Sequence, residues 1–141
     1  MATRDVVQEL LRRIGAGDPE RIAELYAERV DWKLDWPEPE HGRAETPWIR
    51  HRAAGAEAAD HFRLIAEHHV PEKADTVVER VLVDGDDAVV LGEIRQTARS
   101  TGRGYHARFA LHLTVEGGLV TRHHIYEDSL AVAQAFAGST P

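Results

Sequence analysis

The chain has 141 residues, 43% hydrophobic and 29% charged, which fits one folded domain with a real core and excludes an intrinsically disordered chain. Its formal net charge of −7 and its scattered cations argue against nucleic acid, whose phosphates need clustered Lys and Arg. It has no cysteine, so disulfides and thiolate metal sites are excluded, and no apolar run approaches the roughly 18 residues of a membrane span.

The first residues enter a helical pattern without a signal peptide, and Arg heavily outnumbers Lys, so the expectation is a cytoplasmic bacterial protein. Val6, Val7, Leu10, Leu11 and Ile14 recur at helical spacing and predict a helix over 4–15, closed by Gly15 and Gly17. Asp18 and Pro19 are suited to the N-cap and first turn of a second helix, with an apolar stripe at Ile22, Leu25 and Tyr26. Residues 30–35 alternate as a short strand. Residues 36–52 carry Pro37, Pro39, Gly42 and Pro47 and read as a long loop, the kind that often lines or covers a binding site. Residues 53–69 predict a third helix facing inward with Ala59, Phe62, Ile65 and Ala66.

The remainder reads as sheet. Strands are predicted over 76–83, 88–99, 105–116 and 119–127, with turns at Asp84-Gly85-Asp86-Asp87, at 100–104 and at Gly117-Gly118. Ala107, Phe109, Leu111, Leu113 and Val115 share one face of the third of these strands. Asp128 and Ser129 cap a short final helix over 130–136, and residues 136–141 form a frayed tail. Helices first and a meander second predict α+β. Strands this long suit a sheet that coils around a helix and encloses a hollow.

Three stretches carry a family resemblance. They are the segment from Ala16-Gly17-Asp18-Pro19 to Tyr26-Ala27-Glu28, the helix start Gly55-Ala56-Glu57-Ala58, and the ending Gly117-Gly118-Leu119 through Tyr126-Glu127-Asp128. In order and spacing the chain resembles the SnoaL-like members of the nuclear transport factor 2 superfamily, which includes ketosteroid isomerase, limonene epoxide hydrolase and polyketide cyclases. The resemblance covers nearly the whole chain as a single domain. It implies a cone-shaped barrel, a curved antiparallel sheet packed on three N-terminal helices, with an apolar pocket for a hydrophobic small molecule and no cofactor. It also implies a homodimer through the outer sheet face, where His106, Arg108, His112, Arg122, His124 and Tyr126 alternate with the apolar positions.

The resemblance places the family's chemistry on residues that do not suit it. Leu34 stands at the isomerase's base, Leu10 and Leu111 at its oxyanion-hole donors, and Ile94 and Gln96 near the hydrolase's Arg and Asp. Ile125 stands at the acid of the last strand. The candidate catalytic residues are therefore neighbours: His123, which shares strand parity with Ile125 and Glu127; Asp35, beside Leu34; and Asp128, whose competing role is the helix cap. Candidate pocket residues are Trp32, Leu34, Trp48, Phe62, Gln96, Phe109, Leu111 and Ile125. No metal site is expected, because His68 and His69 are adjacent on a helix and point about 100° apart. Two functions stay open: a cofactor-free isomerase, cyclase or hydratase, or a non-catalytic binding module. A third, an interaction protein, would need a cone filled by large side chains.

Overall fold

A computed structural model describes residues 2–34, 47–49 and 52–137. Helix α1, Thr3–Ala16, places Val6, Val7 and Leu10 against the sheet with no exposure. It ends at Gly17, whose φ of 81° is a left-handed cap that lets its N–H reach the carbonyls of Arg13 and Ile14. Helix α2 is Pro19–Ala23, and the Asp18 carboxylate accepts from the Arg21 N–H at 3.4 Å. This helix is shorter than its apolar stripe predicts. Tyr26 belongs to the first strand, β1, Tyr26–Leu34, and its burial serves the sheet.

Helix α3, Glu57–His68, starts where the Glu57 carboxylate accepts from the N–H groups of Ala53 and Ala54. Its innermost residues are Ala58 and His61, so the face expected at Ala59 and Ala66 is rotated; Ala66 is exposed. The pattern misled because a histidine takes the central inward position. A short 3-10 turn, Pro71–Lys73, precedes β2, Asp75–Asp84. Then follow β3, Asp87–Thr97, β4, Gly104–Glu116, β5, Leu119–Glu127, and helix α4, Ser129–Phe136.

The five strands form one curved, unclosed sheet in the order β1-β5-β4-β3-β2. Strands β2 to β5 are the expected antiparallel meander. The fifth strand corrects the expected all-antiparallel sheet: β1 runs parallel to β5, with Trp32 opposite His123 and Leu34 opposite Ile125. A parallel neighbour requires a long crossover, and local sequence carries no trace of it.

The core divides in two. One cluster under α1 and α2 gathers Leu10, Trp32, Val90, Leu111, Leu113 and Val120, with Phe62, Phe109 and Ile125 packed on it. The other gathers Trp48, Ile49, Tyr105, Ala107, Val132 and Phe136, with Leu34 and Ile65 at its edge. Phe136 is only 2% exposed, which corrects its assignment to the tail. Residues 138–141 lie outside the described residues.

Candidate functional site

The second cluster surrounds a cavity of about 70 Å³. Strand β5 supplies Ile125 and, two residues on and on the same face, Glu127. Leu34 comes from β1, Ile94 and Gln96 from β3, Tyr105 from β4 and Val132 from α4. His61 and Ile65 project from α3, and His69 and Trp48 complete the wall.

Glu127 is the chemically unusual member. Burial raises its carboxyl to about 7, and the neighbouring Asp128 charge pushes in the same direction. Near neutrality both protonation states of this carboxyl are populated.

The same cavity is lined by a hydrogen-bonded chain. The Tyr105 hydroxyl is 2.7 Å from His69 Nε2 and 2.8 Å from the Gln96 side-chain amide. His69 Nδ1 lies 2.7 Å from the Ile65 carbonyl, which can only accept, so Nδ1 carries a proton. Burial lowers the His69 pKa and favours the neutral ring, so Nε2 is an acceptor. The single Tyr105 proton therefore goes to His69. The Gln96 contact is then met by rotation of the amide, with its NH2 donating to the Tyr105 oxygen. Burial also raises the Tyr105 pKa, with Glu127 contributing, so the phenol stays protonated.

His61 Nδ1 is 3.3 Å from the Trp48 carbonyl and donates to it. Its pKa is pushed down to about 3, first by burial and then by the Arg52 charge. The Arg52 side chain is itself fully buried. It donates to the Trp48 carbonyl at 2.7 Å and the Asp60 carboxylate at 3.1 Å, fastening Trp48 to α3.

His123 lies in the other cluster, 2% exposed, and is not among the residues lining this cavity. Its ring stacks on Trp32 with centroids 3.8 Å apart and planes within 1°. Its Nδ1 lies 2.9 Å from the Tyr26 hydroxyl, and burial lowers its pKa well below the usual histidine value. His123 Nε2 and Trp32 Nε1 are buried without a hydrogen-bond partner among the described residues. Asp128 is exposed and accepts from the Ala131 N–H at 3.1 Å, capping α4. Asp35 lies outside the described residues. Of the expected pocket residues, Leu34, Trp48, Gln96 and Ile125 meet at the cavity, while Trp32, Phe62, Phe109 and Leu111 pack in the first cluster.

Sequence reasoning left Glu127, Tyr105, His61 and His69 out of the candidate site. Strand parity already puts Glu127 on the face of Ile125 without making it a site residue, and it could have found Tyr105, which precedes Ala107 at a spacing of two. No local signal marks His61.

With this geometry in view, the comparisons with known proteins decide the family. The family model described as the SnoaL-like domain matches residues 7–123. The chain belongs to the SnoaL-like domain family. Its fold is shared by a nuclear transport factor 2-like protein from Burkholderia thailandensis, 20% identical over 96% of this chain and 97% of that one, with a TM-score of 0.80. It is similar to TerC, crystallised with polyporic acid, at 16% identity, coverage of 95% and 97%, and a TM-score of 0.76. It is also similar to a protein with a ketosteroid isomerase-like fold from Catenulispora acidiphila, in complex with trimethylamine. There the identity is 11%, the coverage 96% and 93%, and the TM-score 0.71. No curated protein matches the sequence. Among the described residues, no helix of this SnoaL-like chain is long and apolar enough to cross a membrane.

Proposed function

We propose that this SnoaL-like chain is a cofactor-free acid–base enzyme of the isomerase, cyclase or hydratase type. It acts on a hydrophobic small molecule that carries a carbonyl group, and Glu127 transfers the proton. The observation that carries this reading is the Glu127 carboxyl, held at about 7 in an apolar cavity. A group poised near the working pH is an effective base when ionised and an effective acid when protonated. The family's acid position holds Ile125, and Glu127 offers the same function one pleat further along the same face. His123, sealed between Trp32 and Tyr26, is a structural residue in this reading. The Tyr105–His69–Gln96 chain fixes one wall and presents a polar edge toward the substrate's oxygen.

Two measurements test it. A carboxyl-detected NMR titration of the purified protein should place Glu127 near 7. Solvent-deuterium exchange into ethyl acetoacetate should then fall about 10²- to 10⁴-fold in Glu127→Gln. A Glu127 that titrates like an ordinary carboxylate, or exchange that survives the substitution, ends this assignment.

A non-catalytic binding module is the second reading. It is favoured by Leu10, Leu34, Leu111 and Ile125 at positions where family enzymes carry polar groups. It predicts a small molecule retained through purification and released unchanged. We also expect a homodimer through the outer sheet face, where Tyr126 is 57% exposed. Native mass spectrometry reads both the retained molecule and the subunit count.

A further inference from the structure

In the cavity that holds Glu127, the hydrogen-bond donors are spent on other groups. His61 and His69 give their Nδ1 protons to the backbone carbonyls of Trp48 and Ile65. Tyr105 gives its proton to His69, and Gln96 turns an amide N–H to the Tyr105 oxygen. The Glu127 side chain has no hydrogen bond or ion pair among the described residues. No Lys or Arg lines the cavity. The buried Arg52 guanidinium is held by the Asp60 carboxylate at 3.1 Å and the Trp48 carbonyl at 2.7 Å, and it is not part of the wall.

An ionised Glu127 is therefore short of positive partners. Burial opposes its charge, and so does the Asp128 carboxylate beside it. Such a group is relieved by a proton or by a cation from solution. The proton is the catalytic reading; the cation is a separate capability. The rest of the wall suits a cation with an apolar body. Trp48 and Tyr105 supply ring systems that attract positive charge, and the His61 and His69 rings, kept neutral by burial, add none of their own. Leu34, Ile125 and Val132 supply alkyl surface. A volume of about 70 Å³ admits only a few heavy atoms. Leu34, Gln96, Ile125 and Glu127 keep partial exposure, so the cavity is open on their side and a ligand needs no passage through the sheet.

We propose that this cavity binds a small alkylammonium ion, which donates an N–H to the Glu127 carboxylate and lays its alkyl groups against Trp48 and Tyr105. The ion takes the space of the carbonyl group and engages the proton-transferring oxygen, so it is a competitive brake on the reaction. The binding site needs only the charge of Glu127, not proton transfer by it.

The test uses the purified full chain with isopropylammonium chloride and isopropanol, probes of the same size and shape, at equal ionic strength set with sodium chloride. Binding is read from amide chemical shifts and the Trp48 indole N–H. At about pH 8 the ammonium ion should bind about tenfold more tightly than the alcohol. Its affinity should rise about tenfold between about pH 6 and about pH 8, because Glu127 loses its proton around 7 while His61 and His69 stay neutral and Tyr105 stays protonated. The alcohol should show no such rise. In Glu127→Gln the preference for the ion should vanish while the alcohol binds as before. The pH dependence belongs to the wild-type protein and does not rely on a variant folding. Equal affinity for ion and alcohol at about pH 8, an affinity flat with pH, or shifts centred away from Trp48, Tyr105 and Glu127 overturns the proposal. Deuterium exchange into ethyl acetoacetate separates the two readings. Exchange without ion preference leaves catalysis standing and removes the ammonium site; ion preference without exchange does the reverse.

Discussion

At the scale of single residues, three buried histidines are kept neutral by burial: His61 on α3, His69 just past its end, and His123 on β5. A backbone carbonyl, which can only accept, fixes the proton on Nδ1 of His61 and His69, while His123 Nδ1 shares a hydrogen bond with the Tyr26 hydroxyl. The Tyr26–His123 pair makes a sharp prediction. Truncating either partner leaves the other buried and unsatisfied, whereas replacing both with rings of similar shape does not. Tyr26→Phe and His123→Phe should each destabilise by about 1–3 kcal/mol. The double variant should cost less than the sum of the two, because a ring still stacks on Trp32 and neither half of the Tyr26–His123 pair is left unsatisfied. Urea denaturation of the four proteins measures the coupling; strict additivity would show that the 2.9 Å contact carries no energy.

At the scale of elements, the bend that gives the sheet its hollow is visible at Gly92. A register shift between Val78 and Arg80 puts a bulge in β2 opposite this glycine, and Phe109 of β4 covers it from the adjacent strand. A Cβ at Gly92 would sit 2.4 Å from the Val77 carbonyl oxygen and 2.8 Å from the Phe109 ring. Backbone cannot yield as a flexible side chain does, so Gly92→Ala should destabilise by about 1–3 kcal/mol. A thermal melt unchanged by the substitution would remove the bend from this position. Strands β3 to β5 were legible in the sequence because their alternation and glycine turns are local. The face of α3 was not, because His61 and Phe62 are adjacent and only the three-dimensional position of Trp32 and Trp48 decides that the imidazole goes inward. The parallel pairing of β1 joins residues far apart in the chain, such as Trp32 and His123, and left no local mark. The site followed the same division. Leu34, Gln96 and Ile125 were found by strand parity and family resemblance, whereas Glu127 became unusual only once its burial was known.

At the scale of the whole molecule, these groups set how stability depends on pH. Between about pH 5 and 6, unfolded His61 and His123 take up protons that their folded forms refuse. Each therefore makes stability rise with pH, by about 1.4 kcal/mol per unit when one proton is involved. His69 adds in the same direction. Glu127 acts oppositely. Its folded carboxyl is held at about 7 against 4.5 for the reference group, so its contribution is complete below 4.5 and is lost as pH rises through 7. Two buried histidines against one carboxyl leave a net rise of at least about one proton between pH 5 and 6. Glu127→Gln removes the opposing group without touching the histidines, and should steepen that rise by about one proton. Urea midpoints and m-values at closely spaced pH values, for both proteins, read the two slopes directly. Parallel slopes would mean that Glu127 titrates alike in the folded and unfolded chains, and the acid–base role proposed for it would lose its physical basis.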